Sequence, residues 1–368
     1  MSFYNTIQEH PWEATQEAIY AKTADDVRRA LGKDKIDLND FQALISPAAE
    51  PFIEAMALKS KMLTQKRFGK TIQMYAPLYV SNVCTNACVY CGFNHANDIE
   101  RKVLTEDEIG EELAVLKKMG YEHVLLVSGE DKRACGLDYL AAATKQAKMD
   151  FAQISIEVQP MDTDEYVVLK DAGVHAVYVY QETYHEENYK TYHPKGKKSN
   201  YRYRLETPER IGKAGIHKMG LGVLLGLEDW RTDSFYTALH LHYLEKHFWQ
   251  MKYSLSFPRL RPHAGGFEPN SIINHTQLLQ LMCAYRLLNE QVEISLSTRE
   301  SAYFRDHVMK LGVTTMSAGS KTDPGGYSHP NAALEQFSVN DERSPQQVSQ
   351  ALNAGGYEVV WKDWDTYM

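Results

Sequence analysis

Val83-Cys84-Thr85-Asn86-Ala87-Cys88-Val89-Tyr90-Cys91-Gly92-Phe93 is the stretch from which the rest of the chain can be read. Three of the five cysteines fall here, spaced C-x-x-x-C-x-x-C, directly after the apolar run Met74-Tyr75-Ala76-Pro77-Leu78-Tyr79-Val80. Three thiolates on one tight loop can hold three irons of a [4Fe–4S] cube and leave the fourth iron without a protein ligand. An open iron is a place to bind a small molecule. Structural zinc would need a fourth ligand, and His95 is the one nearby candidate, a poor fit. Disulfides need an oxidising compartment, which nothing in the sequence suggests.

Outward from this loop, short β-branched or apolar runs alternate with amphipathic segments. Strands are expected over 72–80, 123–127, 151–158, 176–180, 218–224, 252–257, 293–296 and 313–316. Helices are expected between them, among others over 106–119, 139–148, 208–214, 232–248 and 277–289. Eight such alternations predict a complete (β/α)8 TIM-type barrel, a fold that carries its active site at the C-terminal ends of its strands. Residues 72–330 are assigned to it. Residues 1–71 read as an N-terminal helical extension packed on the barrel. Thr23-Ala24-Asp25-Asp26 has the form of a capping box, and Asp37-Leu38-Asn39-Asp40-Phe41 starts a second helix. Pro51 opens a longer amphipathic stretch with Phe52, Ala55, Met56, Leu58 and Met62 at helical spacing. Residues 331–368, with Gln336-Phe337 and Tyr357-Glu358-Val359-Val360-Trp361-Lys362-Asp363-Trp364, are expected to fold back as a C-terminal cap. Helical extension and aromatic tail are the expected covers that exclude water from the site.

Hydrophobic residues make up 43% of the 368, ample for a sizeable core. A formal net charge of −8 argues against a nucleic-acid or anionic-membrane partner. No run approaches the roughly 18 apolar residues of a transmembrane helix, and the first residues lack the features of a secretory signal. A cytoplasmic setting is expected, with Cys135 and Cys283 as ordinary buried thiols.

With the aromatic Tyr90 directly before the third cysteine, the loop resembles that of the radical S-adenosylmethionine (SAM) superfamily. The resemblance implies a [4Fe–4S] cluster on Cys84, Cys88 and Cys91, with SAM chelating the open iron. Reductive cleavage of SAM would then give a 5′-deoxyadenosyl radical. Ser128-Gly129-Glu130 resembles the superfamily's Gly-Gly-Glu motif, with Ser128 replacing the first glycine. Its carbonyls would accept from the SAM ammonium, and Glu130 would orient the loop. Glu157 and Glu182 end the third and fourth strands. A buried carboxylate needs a partner, either a cationic or hydroxyl-bearing ligand or an ion pair inside the barrel. Arg204 opens the following helix and matches an arginine that binds the SAM carboxylate, a role suited to a guanidinium fork. The basic run around it, Lys195, Lys197, Lys198 and Arg202, reads more simply as a solvated loop. Gly222-Val223-Leu224-Leu225-Gly226-Leu227-Glu228-Asp229 resembles the G-x-I-x-G-x-x-E segment that lies against adenine, with Leu224 for Ile and Asp229 where Glu is expected.

Three further segments narrow the resemblance: Pro258-Arg259-Leu260-Arg261-Pro262-His263 after the sixth strand, Leu296-Ser297-Thr298-Arg299-Glu300 at the seventh, and Ser317-Ala318-Gly319-Ser320-Lys321-Thr322 after the eighth. They look like the aromatic amino-acid lyases, and over nearly the whole chain like the tyrosine lyases of thiamine thiazole biosynthesis. That implies cleavage of the L-tyrosine Cα–Cβ bond to 2-iminoacetate and p-cresol, with SAM converted to 5′-deoxyadenosine and methionine. Arg299 is then the candidate for the tyrosine carboxylate and Ser317 for the amino group. Arg259, Arg261 and His263 are candidates for the phenol, although barrel-rim salt bridges are the plainer reading of the two arginines. The resemblance also implies product transfer to thiazole synthase and electrons from flavodoxin or ferredoxin. One rival, the hydrogenase-maturation tyrosine lyase, carries a second cysteine cluster, whereas here no cysteine follows Cys283. A tryptophan-processing lyase is a second rival. A non-catalytic iron–sulfur or zinc interaction protein is a third, and it would have no need of Arg204, Arg299 or the strand-end carboxylates.

Overall fold

The computed structural model describes residues 2–363. Eight parallel strands run in sequence order around a closed ring: β1 (Thr71–Ser81), β2 (His123–Ser128), β3 (Gln153–Glu157), β4 (Val174–Tyr178), β5 (Lys218–Gly222), β6 (Lys252–Ser256), β7 (Glu293–Leu296) and β8 (Thr315–Ser317). Each pairs with its neighbour, and β8 closes onto β1 through Gln73, Met74 and Tyr75. The (β/α)8 expectation holds for every strand. Burial on both faces is the reason, because each strand then reads as a near-continuous apolar run. Bounds shift by a few residues. Ser317, expected beyond the eighth strand, is the last residue of β8, and β4 ends four residues before Glu182.

Helices fill each crossover, and their starts are written in the sequence. Thr105 and Glu108 cap each other reciprocally at Glu106–Lys118, as Asn274 and Gln277 do at His275–Leu288. Asp229 accepts from the Thr232 backbone N–H at 2.9 Å and so caps Trp230–His247. Among the described residues no helix is long and apolar enough to cross a membrane.

The helices Phe3–Gln8, Trp12–Tyr20, Ala24–Gly32, Leu38–Ile45 and Ile53–Phe68 form an outer layer on Trp230–His247 and His275–Leu288. Both expected capping boxes, at Thr23 and Asp37, are present. Two expectations fail here. In Ile53–Phe68 the buried face is Met56, Ser60 and Thr64, whereas Leu58 and Met62 are 57% and 71% exposed. The small polar side chains Ser60 and Thr64 on this face let the helix approach closely, with Ser60 donating to the Leu311 carbonyl. Nor does the layer cover the mouth: it packs on the barrel's flank, and no described residue before Tyr75 lines the cavity described below.

The C-terminal segment divides. Residues 336 and 337 lie on the mouth, but β9 (Glu358–Val360) pairs in parallel with Thr71–Gln73, at the start of β1 and hence at the opposite end. Trp361 packs edge-on to Tyr121 there, at 5.5 Å, and Trp364 lies outside the described residues. Between these points the chain is pinned by a buried ion pair. Arg305 binds Asp341, both side chains fully inaccessible, and also donates to the Ser317 carbonyl. Asp341→Asn leaves Arg305 charged and short of a counterion. Removing one partner of a buried pair costs about 3–5 kcal/mol, so the thermal midpoint is expected to drop sharply. Calorimetry should show a smaller loss for the double variant R305M/D341L.

Candidate active site

The cysteine loop is fastened over the barrel mouth mainly by backbone groups. Gly129 N–H donates to the Ser81 carbonyl at 2.9 Å, and Thr85 donates through N–H and Oγ1 to the Glu130 carbonyl at 3.2 and 2.9 Å. Arg101 gathers the carbonyls of Asn82, Phe93, Asn94 and Asn97 at 2.7–3.2 Å. A Cβ at Gly129 would stand 2.3 Å from the Val83 carbonyl oxygen, so this crossing requires glycine. Cys84, Cys88 and Cys91 are free thiols lining one cavity. Burial pushes the Cys84 thiol up to about 11 and raises Cys88 and Cys91 as well. Such thiols lose their protons to a metal rather than to water. Among the described residues no three His, Cys, Asp or Glu side chains converge on a single-ion site, and His95 is exposed and outside the cavity lining. The three thiols thus share one cavity, and among the described residues they form no single-ion site with a His, Asp or Glu.

A charged layer adjoins the loop. Glu130 accepts from Asn86 Nδ2 at 2.8 Å and from Arg204 Nη1 at 2.9 Å. Burial pushes its carboxyl up, but the positive charges of Arg204 and Lys198 outweigh this and hold it below the ordinary range. Arg204 spends Nε on the Tyr180 carbonyl at 2.7 Å, and its Nη2 stands 3.7 Å from Glu182. It lies near the end of the short helix Tyr201–Leu205 rather than at the opening of a helix. Lys198 pairs with Glu182 at 2.7 Å. The solvated-loop reading is wrong for this residue, because its side chain is only 10% exposed and lines the cavity. Glu182 sits at φ 71°, a left-handed backbone that costs a non-glycine residue on the order of 1–3 kcal/mol and is met at functional sites. Its carbonyl is bonded by Leu224 N–H at 2.9 Å, which brings Leu224 to the same wall. Tyr90 Oη lies 2.7 Å from His193 Nε2, while His193 Nδ1 faces the Tyr189 carbonyl at 2.8 Å. Nδ1 thus carries the proton and Tyr90 donates. Burial lowers His193 to about 2, keeping the ring neutral.

Glu157, Arg299, Ser317, Ser128 and Arg261 line the same cavity. The Glu157 carboxyl makes no hydrogen bond to a described residue, and burial with the nearby charge of Glu182 raises it to about 7. Arg299 stacks over Phe337, its guanidinium carbon 3.5 Å from the ring centre. Among the described residues its guanidinium donates only to the Arg259 carbonyl, at 3.3 Å, so most of its five N–H donors are unspent. Ser317 Oγ accepts from Thr298 N–H at 3.3 Å. The Ser128 hydroxyl is buried without a hydrogen-bond partner among the described residues. Arg259 and His263, by contrast, are not brought to the cavity. Arg259 is clamped by Glu300 through Nε at 2.8 Å and through Nη2, and donates to the Ile273 carbonyl at 3.1 Å. The salt-bridge alternative describes its contacts. His263 Nε2 is buried and unpaired.

Residues not assigned to the site from the sequence also line the cavity: Asn86, Tyr79 and His123, Lys198 from the basic run, and Gln336 and Phe337 from the expected cap. Gln336 bonds Tyr79 Oη at 2.9 Å and reaches Cys91 Sγ at 3.6 Å. A Cβ at Gly92 would fall 2.2 Å from the Gln336 carbonyl oxygen, so the returning segment lies directly on the cysteine loop. The sequence marked Gln336-Phe337 as part of a segment folding back, but not its place on the cysteine loop.

Comparison with known proteins agrees with this geometry. Residues 78–239 match the model of the radical SAM superfamily, and residues 256–358 match the Biotin and Thiamin Synthesis associated domain. The 2-iminoacetate synthase of Escherichia coli is 50% identical over 97% of this chain and 95% of its own length. The 2-iminoacetate synthase of Salmonella typhimurium is 49% identical over the same shares. Among solved structures, the [FeFe]-hydrogenase maturase HydG superposes with a TM-score of 0.90 at 30% identity, covering 95% of this chain and 79% of that one. With its three cysteines, charged layer and arginine on one barrel mouth, the chain belongs to the 2-iminoacetate synthase family of radical SAM enzymes, which use a [4Fe–4S] cluster and SAM.

Proposed function

We propose that this chain is a carbon–carbon lyase that cleaves L-tyrosine to 2-iminoacetate and p-cresol, for the thiazole moiety of thiamine. The observation that carries the reading is a single cavity holding three free thiols, the Arg204–Glu130 and Lys198–Glu182 pairs, and Arg299 with unspent donors. The 50% identity favours it over the hydrogenase-maturation rival, whose solved relative stands at 30%. Bound there, the cluster and SAM supply a carbon radical able to take a hydrogen atom from the substrate.

The chain's residues then have assignable tasks. Cys84, Cys88 and Cys91 hold three irons, and Tyr90, fixed by His193, walls the site. The carbonyls of Ser128 and Gly129 accept from the SAM ammonium. Glu130 keeps Arg204 and the cysteine loop in register, leaving Arg204 Nη2 and Lys198 toward the SAM carboxylate. Glu182 faces hydroxyl groups of the nucleoside, and Leu224 lies against its base. Arg299 fixes the tyrosine carboxylate and Ser317 the amino group, so that N–H faces the radical carbon; a displacement of about 1 Å there can cost a hundredfold in rate. Glu157 keeps its carboxylate oxygens for an ammonium or hydroxyl of either bound molecule, and Arg261 faces the phenol. Arg259 holds the rim rather than the substrate. Residues 336 and 337 exclude water. The setting is a reducing cytoplasm, with a flavodoxin or ferredoxin as donor and thiazole synthase receiving the labile imine.

The test is anaerobic reconstitution, then SAM, dithionite and tyrosine. Formation of 5′-deoxyadenosine together with p-cresol and glyoxylate, the hydrolysis product of 2-iminoacetate, is expected. Turnover with tryptophan alone, or none with either, contradicts the assignment.

A further inference from the structure

The segment that wraps the cysteine loop has two faces. Lys198 and Arg204 turn into the cavity. Lys190, Lys195 and Lys197 are exposed, and none of the three forms an ion pair among the described residues, although the chain as a whole carries −8. Arg133, exposed on the neighbouring loop after β2, adds a fourth cation next to the Glu130 segment. Glu187, exposed three residues before Lys190, is the nearest acid along the chain, and Glu186 beside it is engaged by Gln8 at 3.1 Å and by Tyr4 at 3.4 Å, so the face carries three lysines and Arg133 against one exposed carboxylate on the same segment.

Backbone hydrogen bonds join this segment to the residues on either side of the middle cysteine. Ala87 N–H donates to the Lys195 carbonyl and Val89 N–H to the Tyr192 carbonyl, both at 3.1 Å, so hydrogen bonds flank Cys88 on either side. Lys198 N–H donates to Asn86 Oδ1 at 3.0 Å. Gly196, between the two exposed lysines, has φ 94°, and a Cβ on it would stand 2.2 Å from Asn86 Oδ1. Lys195 is thus held one peptide and one hydrogen bond from Cys88, with Lys197 two residues beyond it and Lys190 two residues before Tyr192.

We infer that Lys190, Lys195 and Lys197 form the docking surface for an acidic protein that delivers single electrons to the cluster. The inference rests on the radical SAM reading, since only a reducible cluster at Cys88 needs a donor. In the step, the carrier loses one electron and the cluster gains one; no bond forms or breaks and no proton moves. An acidic carrier is repelled by most of a surface of net charge −8, so a local cationic face sets both approach and orientation. It places the carrier where hydrogen-bonded backbone leads directly to a cluster ligand.

The experiment compares SAM cleavage driven by reduced flavodoxin with cleavage driven by dithionite, in wild type and in K190E/K195E/K197E. At low ionic strength the flavodoxin-driven rate should fall about tenfold or more, and added salt should slow the variant less than the wild type. The dithionite-driven rate should stay at the wild-type value. K145E/K213E, two exposed lysines on outer helices, should leave both rates unchanged. An unchanged flavodoxin-driven rate in the triple variant overturns the docking surface. So does a parallel loss with dithionite, which would mark the lysines as supports of the loop. Absence of cleavage by wild type with dithionite would instead sink the lyase reading itself.

Discussion

Cys88→Ala is expected to abolish reductive cleavage of SAM while leaving the barrel folded. Cys88 is the middle cysteine of the three, 5% exposed, and its loop is positioned by the backbone hydrogen bonds of Ala87 and Val89 rather than by its own side chain. Alanine keeps that backbone and removes only the sulfur. Loss of a partner that merely orients a metal ligand costs about 10- to 100-fold, so loss of the ligand itself should exceed a hundredfold. Chromatography of 5′-deoxyadenosine, with circular dichroism as the check on folding, reads the result. Turnover at the wild-type rate would overturn the assignment of the cluster to these cysteines.

Arg299→Ala is expected to separate SAM chemistry from tyrosine cleavage. The guanidinium is stacked on Phe337 and donates one long hydrogen bond, so its remaining donors are available to a carboxylate. A charge-assisted hydrogen bond contributes about 1.5–3 kcal/mol. The tyrosine concentration for half-saturation should therefore rise roughly ten- to a hundredfold or more, and 5′-deoxyadenosine should form without matching p-cresol. SAM affinity should stay near the wild-type value, because Arg204 and Lys198 belong to a separate group around Glu130 and Glu182. Arg299→Lys should recover only part of the coupling, since an ammonium offers neither the planar stack nor the fork. Wild-type coupling in Arg299→Ala would remove the residue from the substrate's anchor set.

The barrel was legible because its strands are buried on both faces; His123-Val124-Leu125-Leu126-Val127 announces itself without a partner. The cysteine loop was legible because ligand spacing is local. Legibility failed where a side chain's direction depends on distant atoms. Lys198 stands in a run of four basic residues, and only the turn at Gly196 against Asn86 sends it inward while Lys195 and Lys197 stay out. Arg259 looks like an anion-binding residue until Glu300 is seen to clamp it. Leu58 and Met62 outrank Ser60 and Thr64 on any hydrophobic scale, yet the close approach of the helix to Gly312 favours the small pair. The tail divides between mouth and base because Asp341 is drawn to Arg305 and β9 to the start of β1, pairings with no local signature.

Anaerobic reconstitution of the wild-type chain, with iron and sulfide counted and the electron paramagnetic resonance of the reduced sample recorded before and after SAM, tests the central claim most directly. One cubane per chain, with a signal that shifts on adding SAM, is the predicted outcome. A chain that holds no cubane, or one whose signal SAM leaves untouched, contradicts an open iron at the mouth of this barrel.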